Sequence, residues 1–161
     1  MTTCYARLKL YSVMEKCGDS LCYTDTDSLM FIVKKNGFCP QLGNNLGELT
    51  DEIDAKKGNY IKELILVAPK SYAYETDIGY RHALCKGITF NNLAALKINL
   101  DSMKEIVLED KCKKIEVEQL QFIRDKKKWN MKTQVGIKKL SNTFDKRIVL
   151  ENKFETLPFG F

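Results

Sequence analysis

Apolar positions recur first at helical spacing and then in short extended runs separated by polar breaks. Ala6, Leu8, Leu10, Val13 and Met14 give a broad apolar face to a predicted helix capped by Thr2 or Thr3, running to about Lys16 and stopped by Gly18. Leu21-Cys22-Tyr23-Thr24 and Leu29-Met30-Phe31-Ile32-Val33 then flank the polar tip Asp25-Thr26-Asp27-Ser28. Two apolar runs around a short polar break predict a hairpin buried on at least one side. Residues 36–47 are loop-like, with Gly37, Pro40, Gly43 and Asn44-Asn45, and residues 48–55 are expected to form a short helix.

Residues 60–67 read as a buried strand. Pro69 breaks it, and Lys70-Ser71-Tyr72-Ala73-Tyr74-Glu75 alternates as a hairpin partner. Beyond Lys86-Gly87-Ile88, Asp101 is placed to cap a helix over residues 102–109, and Ile115, Val117, Leu120 and Phe122 predict a bulged strand. Residues 146–150 and 154–159 are the last extended pieces. The fold class that follows is α+β, without internal repeats or low-complexity tracts.

Composition narrows the class further. The chain has 161 residues, of which 44% are hydrophobic and 29% charged. A domain commonly runs to roughly 100–150 residues, so there is room for one core and a small second lobe. No apolar run approaches the roughly 20 residues that span a bilayer, and the first ten residues hold no signal-peptide core, so a soluble, intracellular chain with no membrane partner is expected. Six cysteines, at 4, 17, 22, 39, 85 and 112, include no CxxC pair, which favours free thiols over disulfides or a zinc site.

The net charge of +5 conceals an asymmetry. Residues 1–80 carry 9 basic and 11 acidic groups, and residues 81–161 carry 17 basic and 10 acidic, a net +7. The densest run, Lys126-Lys127-Lys128 beside Trp129, is equally a charged turn and a nucleic-acid contact. A boundary is placed near residue 88, between an acidic β-rich lobe (1–88) and a basic α+β lobe (89–161).

Asp25 and Asp27 are the sharpest chemical feature. Two carboxylates two residues apart repel one another unless a cation lies beside them. Mg²⁺ favours one or two protein carboxylates with substrate phosphates and water, so a DxD tip on strands suits metal-assisted phosphoryl chemistry. The spacing alone favours an ordinary Asp-rich turn. Its context adds more: Tyr23-Thr24-Asp25-Thr26-Asp27-Ser28 resembles the YxDTDS palm motif of family B DNA polymerases, and Lys70-Ser71-Tyr72, downstream, resembles their KxY motif. On chemistry alone, Lys70 is a point charge for phosphate and Tyr72 a ring and hydroxyl for a sugar or groove contact.

The resemblance is closest to the protein-primed, organellar and viral type B polymerases of linear plasmids, bacteriophages, adenoviruses and self-synthesising transposons. Thr3-Cys4-Tyr5-Ala6-Arg7-Leu8-Lys9-Leu10-Tyr11 looks like the helix leading into their catalytic hairpin. Leu46-Gly47-Glu48-Leu49-Thr50-Asp51-Glu52, Lys86-Gly87-Ile88 and Thr156-Leu157-Pro158-Phe159-Gly160-Phe161 look like segments of transposon and virus members. It implies a partial palm, a catalytic hairpin plus helix, over 1–88 and a small basic thumb over 89–161. It also implies a DNA-directed DNA polymerase, with Mg²⁺ in a two-metal site, primer-template DNA and dNTP as partners, and possible association with a terminal protein. Residue by residue, Asp27 becomes the direct metal ligand and Asp25 the supporting carboxylate. Lys70 and Tyr72 hold the primer end, and Lys86 with Gly87 contacts the duplex backbone.

The departures bear on activity. The first metal-binding aspartate of a DxxSLYP-like segment, the KxxxNSxYG fingers helix and a DxE proofreading site are not in these residues. The chain therefore looks like a C-terminal palm and thumb fragment, inactive alone, whose hairpin lacks a neighbouring strand. Two other classes stand beside it. One is a non-catalytic DNA-binding remnant, supported by the +7 half. The other, ranked last, is a nucleotide-sugar transferase using Asp25-Thr26-Asp27 as a metal-diphosphate motif.

Overall fold

In the computed structural model, residues 1–108, 114–142, 147–152, 155–158 and 160 are described. Helix α1, Thr2–Cys17, begins one residue earlier than either threonine could cap it; Met1 occupies the cap position and contributes no side-chain bond. Gly18 ends it at φ 50°, its N–H donating to the Met14 carbonyl, and Lys16 lies in the last turn, where a cation complements the helix dipole. Of the predicted apolar face, Ala6 and Leu8 are exposed and Leu10, Val13 and Met14 half-buried; Cys17 alone in this helix is buried. A 3-10 turn, Gly18–Ser20, leads into β1, Leu21–Asp25, which pairs antiparallel with β2, Ser28–Phe31.

Residues 48–55 form no helix. Glu48 instead folds back on the preceding turn: its carboxylate accepts the Asn45 N–H at 2.9 Å, and its own N–H donates to the Asn45 carbonyl. A parallel bridge between Leu42 and Leu49 completes this loop. The chain divides into two compact units, Met1–Glu52 and Ile53–Phe161.

The second unit is built on a three-stranded antiparallel sheet of β3 (Ile61–Ala68), β4 (Ser71–Thr76) and β5 (Arg81–Cys85), in that order. β5 was not legible as a strand, because Arg81-His82-Ala83-Leu84-Cys85 is short and mixed. Val67, Ala73 and Cys85 on one sheet face pack with α2 (Asn92–Lys97) and α3 (Leu100–Leu108), whose Ala94, Leu100, Met103 and Ile106 are buried. Both helices are capped by asparagine. Asn91 accepts the Ala94 N–H at 2.8 Å, and Asn99 accepts the Ser102 N–H at 3.0 Å while its own N–H donates to Ser102 Oγ. That reciprocal box places the helix start before Asp101, which lies in the first turn and pairs with Arg81 at 3.0 Å. The predicted end at Glu109 lies outside the described residues.

β6 (Ile115–Asp125) and β7 (Asn130–Leu140) form a two-stranded ribbon of roughly 35 Å at about 3.4 Å per residue. Their register is unbroken from Ile115↔Leu140 to Asp125↔Asn130, so the expected bulge is absent. Val117 and Leu140 enter the core. Leu120 and Phe122 consequently point to the opposite face, because strand side chains alternate. Residue 88, the expected boundary, lies within this unit, and Ile88 belongs to the same core as Val67 and Val117. β8 (Arg147–Val149) pairs with β9 (Thr156–Pro158), inside the last two predicted extended pieces; residues 146, 154 and 159 of those pieces lie outside the described ones.

Cys4, Cys17, Cys22, Cys39 and Cys85 are free thiols, and Cys112 is outside the described residues. Among the described residues, no helix is long and apolar enough to cross a membrane.

Met103 and Ile106 are almost wholly removed from solvent, so truncation leaves a cavity the surrounding sheet and helices cannot close. Met103→Ala should destabilise the second unit by about 2–5 kcal/mol in urea titrations, against about 1 kcal/mol for loss of the Asn99 cap in Asn99→Ala.

Candidate functional site

The Asp25-Thr26-Asp27-Ser28 tip forms as the sequence predicts, with Asp25 ending β1 and Ser28 opening β2 opposite it. Only Thr26 and Asp27 lie between the strands. The Asp27 N–H donates to the Asp25 carbonyl at 2.6 Å, and Thr26, between them, has φ 53°. This is a three-residue turn with a left-handed centre, a rare and strained form. Thr26 Oγ1 donates to Asp25 Oδ1 at 2.9 Å, and Ser28 Oγ donates to the Asp25 carbonyl at 3.1 Å. Asp25 is half-buried and Asp27 exposed.

Turn stability does not explain these residues. Two-residue hairpins favour Asn-Gly or Asp-Gly because glycine and asparagine tolerate positive φ, whereas a β-branched residue there costs about 1–2 kcal/mol. Strain of this kind clusters at functional sites. The donor set fits a hard divalent cation: two carboxylates supply the protein oxygens that Mg²⁺ takes, with substrate phosphates and water making up the remainder. Among the described residues, no group of three or more His, Cys, Asp or Glu side chains comes together as a metal site. The tip thus offers a pair of carboxylates and no third.

β1 and β2 pair with no further strand among the described residues. Their apolar residues Leu21, Tyr23, Leu29, Met30 and Phe31 are all only half-buried, and Ile32 and Val33 are exposed.

In the second unit, the structure brings Lys70, Tyr72, Lys86 and Gly87 to one end of the sheet. Lys70 lies outside β4, contrary to the alternation that placed it in the strand: Pro69 and Lys70 form the two-residue connection between Ala68 and Ser71, and Lys70 takes φ 59°. Ser71 pairs with Cys85 and Tyr72 with Leu84, which puts the Lys86-Gly87 turn beside the Pro69-Lys70 turn. Both lysines are exposed. The Lys86 N–H donates to Ser71 Oγ at 3.2 Å, so the middle residue of Lys70-Ser71-Tyr72 ties the two segments together.

Gly87 has φ 78°, the left-handed position of its turn, and a side chain there would meet open space. Gln119, from β6, holds this turn on both sides. Its Nε2 donates to the Gly87 carbonyl at 2.9 Å and its Oε1 accepts the Thr89 N–H at 2.9 Å. Sequence reasoning missed Gln119, because a glutamine within an alternating strand gives no sign that its amide reads backbone 30 residues away.

Tyr72 and Tyr74 stack at 6.5 Å between ring centres, and His82 lies 5.1 Å from Tyr74. Burial, with the nearby Lys57 charge, holds the His82 pKa below its ordinary value.

The Lys126-Lys127-Lys128 run is the turn of the β6–β7 ribbon. Asp125 Oδ1 accepts the N–H groups of Lys127 and Lys128 at 3.0 and 3.2 Å, which holds its own pKa down, and the Arg124 guanidinium lies 5.2 Å from the Trp129 ring centre. No protein family matches the chain, and no curated protein or solved structure matches it either.

Thr26→Gly removes the penalty at positive φ and should stabilise the hairpin by about 1 kcal/mol, read from thermal unfolding of the first unit. Since His82 is harder to protonate when folded, its contribution is complete above its ordinary pKa of about 6.5 and is lost as pH falls through the lower folded value. Stability measured from pH 7.5 downward should fall over that interval, and His82→Gln should flatten the decline.

Proposed function

We propose that this chain carries part of the palm and the thumb of a protein-primed family B DNA polymerase. The observation that carries the proposal is the strained tip, where two carboxylates flank a threonine held at positive φ between paired strands. Asp27, exposed at the turn, is the direct ligand for divalent metal, and half-buried Asp25 is the supporting one. Bound Mg²⁺ would offset triphosphate charge and make the primer 3′ hydroxyl a better nucleophile.

Other residues bind and orient the nucleic acid. Lys70 and Lys86, exposed in neighbouring turns, bring two cations to one sheet end, where a phosphate backbone is attracted independently of sequence. Tyr72 presents a ring and a hydroxyl next to them. Gly87 lets the backbone of its turn approach a duplex without a Cβ in the way, and Gln119 keeps that turn fixed. Positioning of a primer end can supply roughly 7–11 kcal/mol of a barrier, so these residues matter as much as metal ligands.

The pair of carboxylates is short of the set a two-metal site uses, so this polypeptide does not extend a primer alone. The basic ribbon tip, with Arg124 over the Trp129 ring and Lys126, Lys127 and Lys128 in the same turn, supports a second reading in which the chain binds DNA without catalysing anything.

Fluorescence anisotropy with a primer-template duplex tests the proposal. Binding should weaken steeply between 50 and 200 mM salt, and Lys70→Ala and Lys86→Ala should each weaken it several-fold. Binding indifferent to both lysines would contradict the assignment. Incubated with Mg²⁺ and dNTPs, the chain should incorporate no nucleotide; incorporation that vanishes in Asp27→Asn would show that the site is complete.

A further inference from the structure

We propose that the outer face of the β6–β7 ribbon is a homodimer interface, closed by the same face of a second copy of this chain. The register sets Glu118 beside Ile137, Leu120 beside Val135, Phe122 beside Thr133 and Arg124 beside Met131, all on the face turned away from the core. Five large apolar side chains there are left open: Leu120 is 72% exposed, Phe122 80%, Met131 63%, Val135 57% and Ile137 55%. Scattered exposed apolar residues are ordinary, but a contiguous face of this kind marks an interaction surface.

Its occupant follows from the order of the rows. Rotation by 180° about the midpoint between the Leu120 and Phe122 rows lays one ribbon antiparallel on another. Leu120 then meets Phe122, Ile137 meets Met131 and Glu118 meets Arg124, every pairing occurring twice as an isologous contact requires. Glu118 makes no ion pair among the described residues of the single chain. The face is therefore complementary to itself in both shape order and charge.

The area suffices as well. Covering these side chains removes on the order of 700 Å² per copy, close to the ~800 Å² per partner of a stable interface. The net charge of +5 on each copy opposes association only weakly, because surface charges are screened beyond about 8 Å at physiological ionic strength. A nucleic acid fits this face less well. Aliphatic side chains dominate it, and at its base Glu116 takes up the charge of Lys139 at 2.6 Å while Glu118 adds a further carboxylate, where a phosphate backbone needs free cations.

Sedimentation equilibrium on the whole chain tests the proposal. A dimer with a dissociation constant of about 1–10 µM is expected. Phe122→Glu should weaken it at least tenfold. Glu118→Arg and Arg124→Glu should each weaken it about fivefold, and the double exchange should restore it. Circular dichroism shows whether each variant folds; if Phe122→Glu does not, the charge exchange carries the test. A chain that stays monomeric at about 100 µM overturns the proposal, as does an oligomer unmoved by Phe122→Glu or a charge exchange that fails to restore it. If Phe122→Glu abolishes binding of a labelled single-stranded oligonucleotide while the mass stays monomeric, the face belongs to nucleic acid and the proposal fails.

Discussion

One sheet face covered by two short helices organises the second unit. Val67, Ala73 and Cys85 cannot be left in water, and α2 and α3, each begun by an asparagine cap, bring Ala94, Leu100, Met103 and Ile106 onto them. The exposed chemistry of the unit depends on that burial. It holds β4 and β5 in a register that sets the Lys70 and Lys86 turns side by side, and it anchors the base of the ribbon through Val117 and Leu140. With its base in the core, the ribbon carries its basic tip and its apolar outer face into solvent.

The first unit is governed differently. Its hairpin has no third strand among the described residues, and α1 leaves much of its apolar surface open. The tip takes its shape from local bonds: the short link from the Asp27 N–H to the Asp25 carbonyl, and the two hydroxyls of Thr26 and Ser28 turned onto Asp25. A turn optimised for stability would place glycine or asparagine where Thr26 stands. Strain held by flanking strands is the physical argument for a role beyond reversing the chain, and the carboxylates on either side give that role a chemistry.

Much of this was legible in the residues, for definable reasons. The hairpin around Asp25 and Asp27, the strands on either side of Pro69 and the stop at Gly18 follow from local rules of apolar runs, a ring that fixes φ, and a residue without a Cβ. What was not legible depended on partners distant in sequence. Residues 48–55 have helical composition, but Glu48 is captured by Asn45. Asp101 looks like a cap, but Asn99 and Ser102 bond each other first. The spacing of Ile115, Val117, Leu120 and Phe122 predicts a bulge; the strand instead stays regular and divides them between the core and the outer face. Gln119 gave no sign of its task at all. The site was readable as two separate motifs, whereas the proximity of the Lys70 and Lys86 turns needed the register of β4 and β5.

The claim on which the functional account rests is that Asp25 and Asp27 hold a divalent metal. Paramagnetic broadening by substoichiometric Mn²⁺ in ¹H–¹⁵N spectra measures it without requiring catalysis. The account predicts selective loss of the amide signals of Thr24, Asp25, Thr26, Asp27 and Ser28, reversed by excess Mg²⁺ and abolished in Asp27→Asn. Uniform broadening, or loss centred on other carboxylates and unchanged in Asp27→Asn, would contradict it.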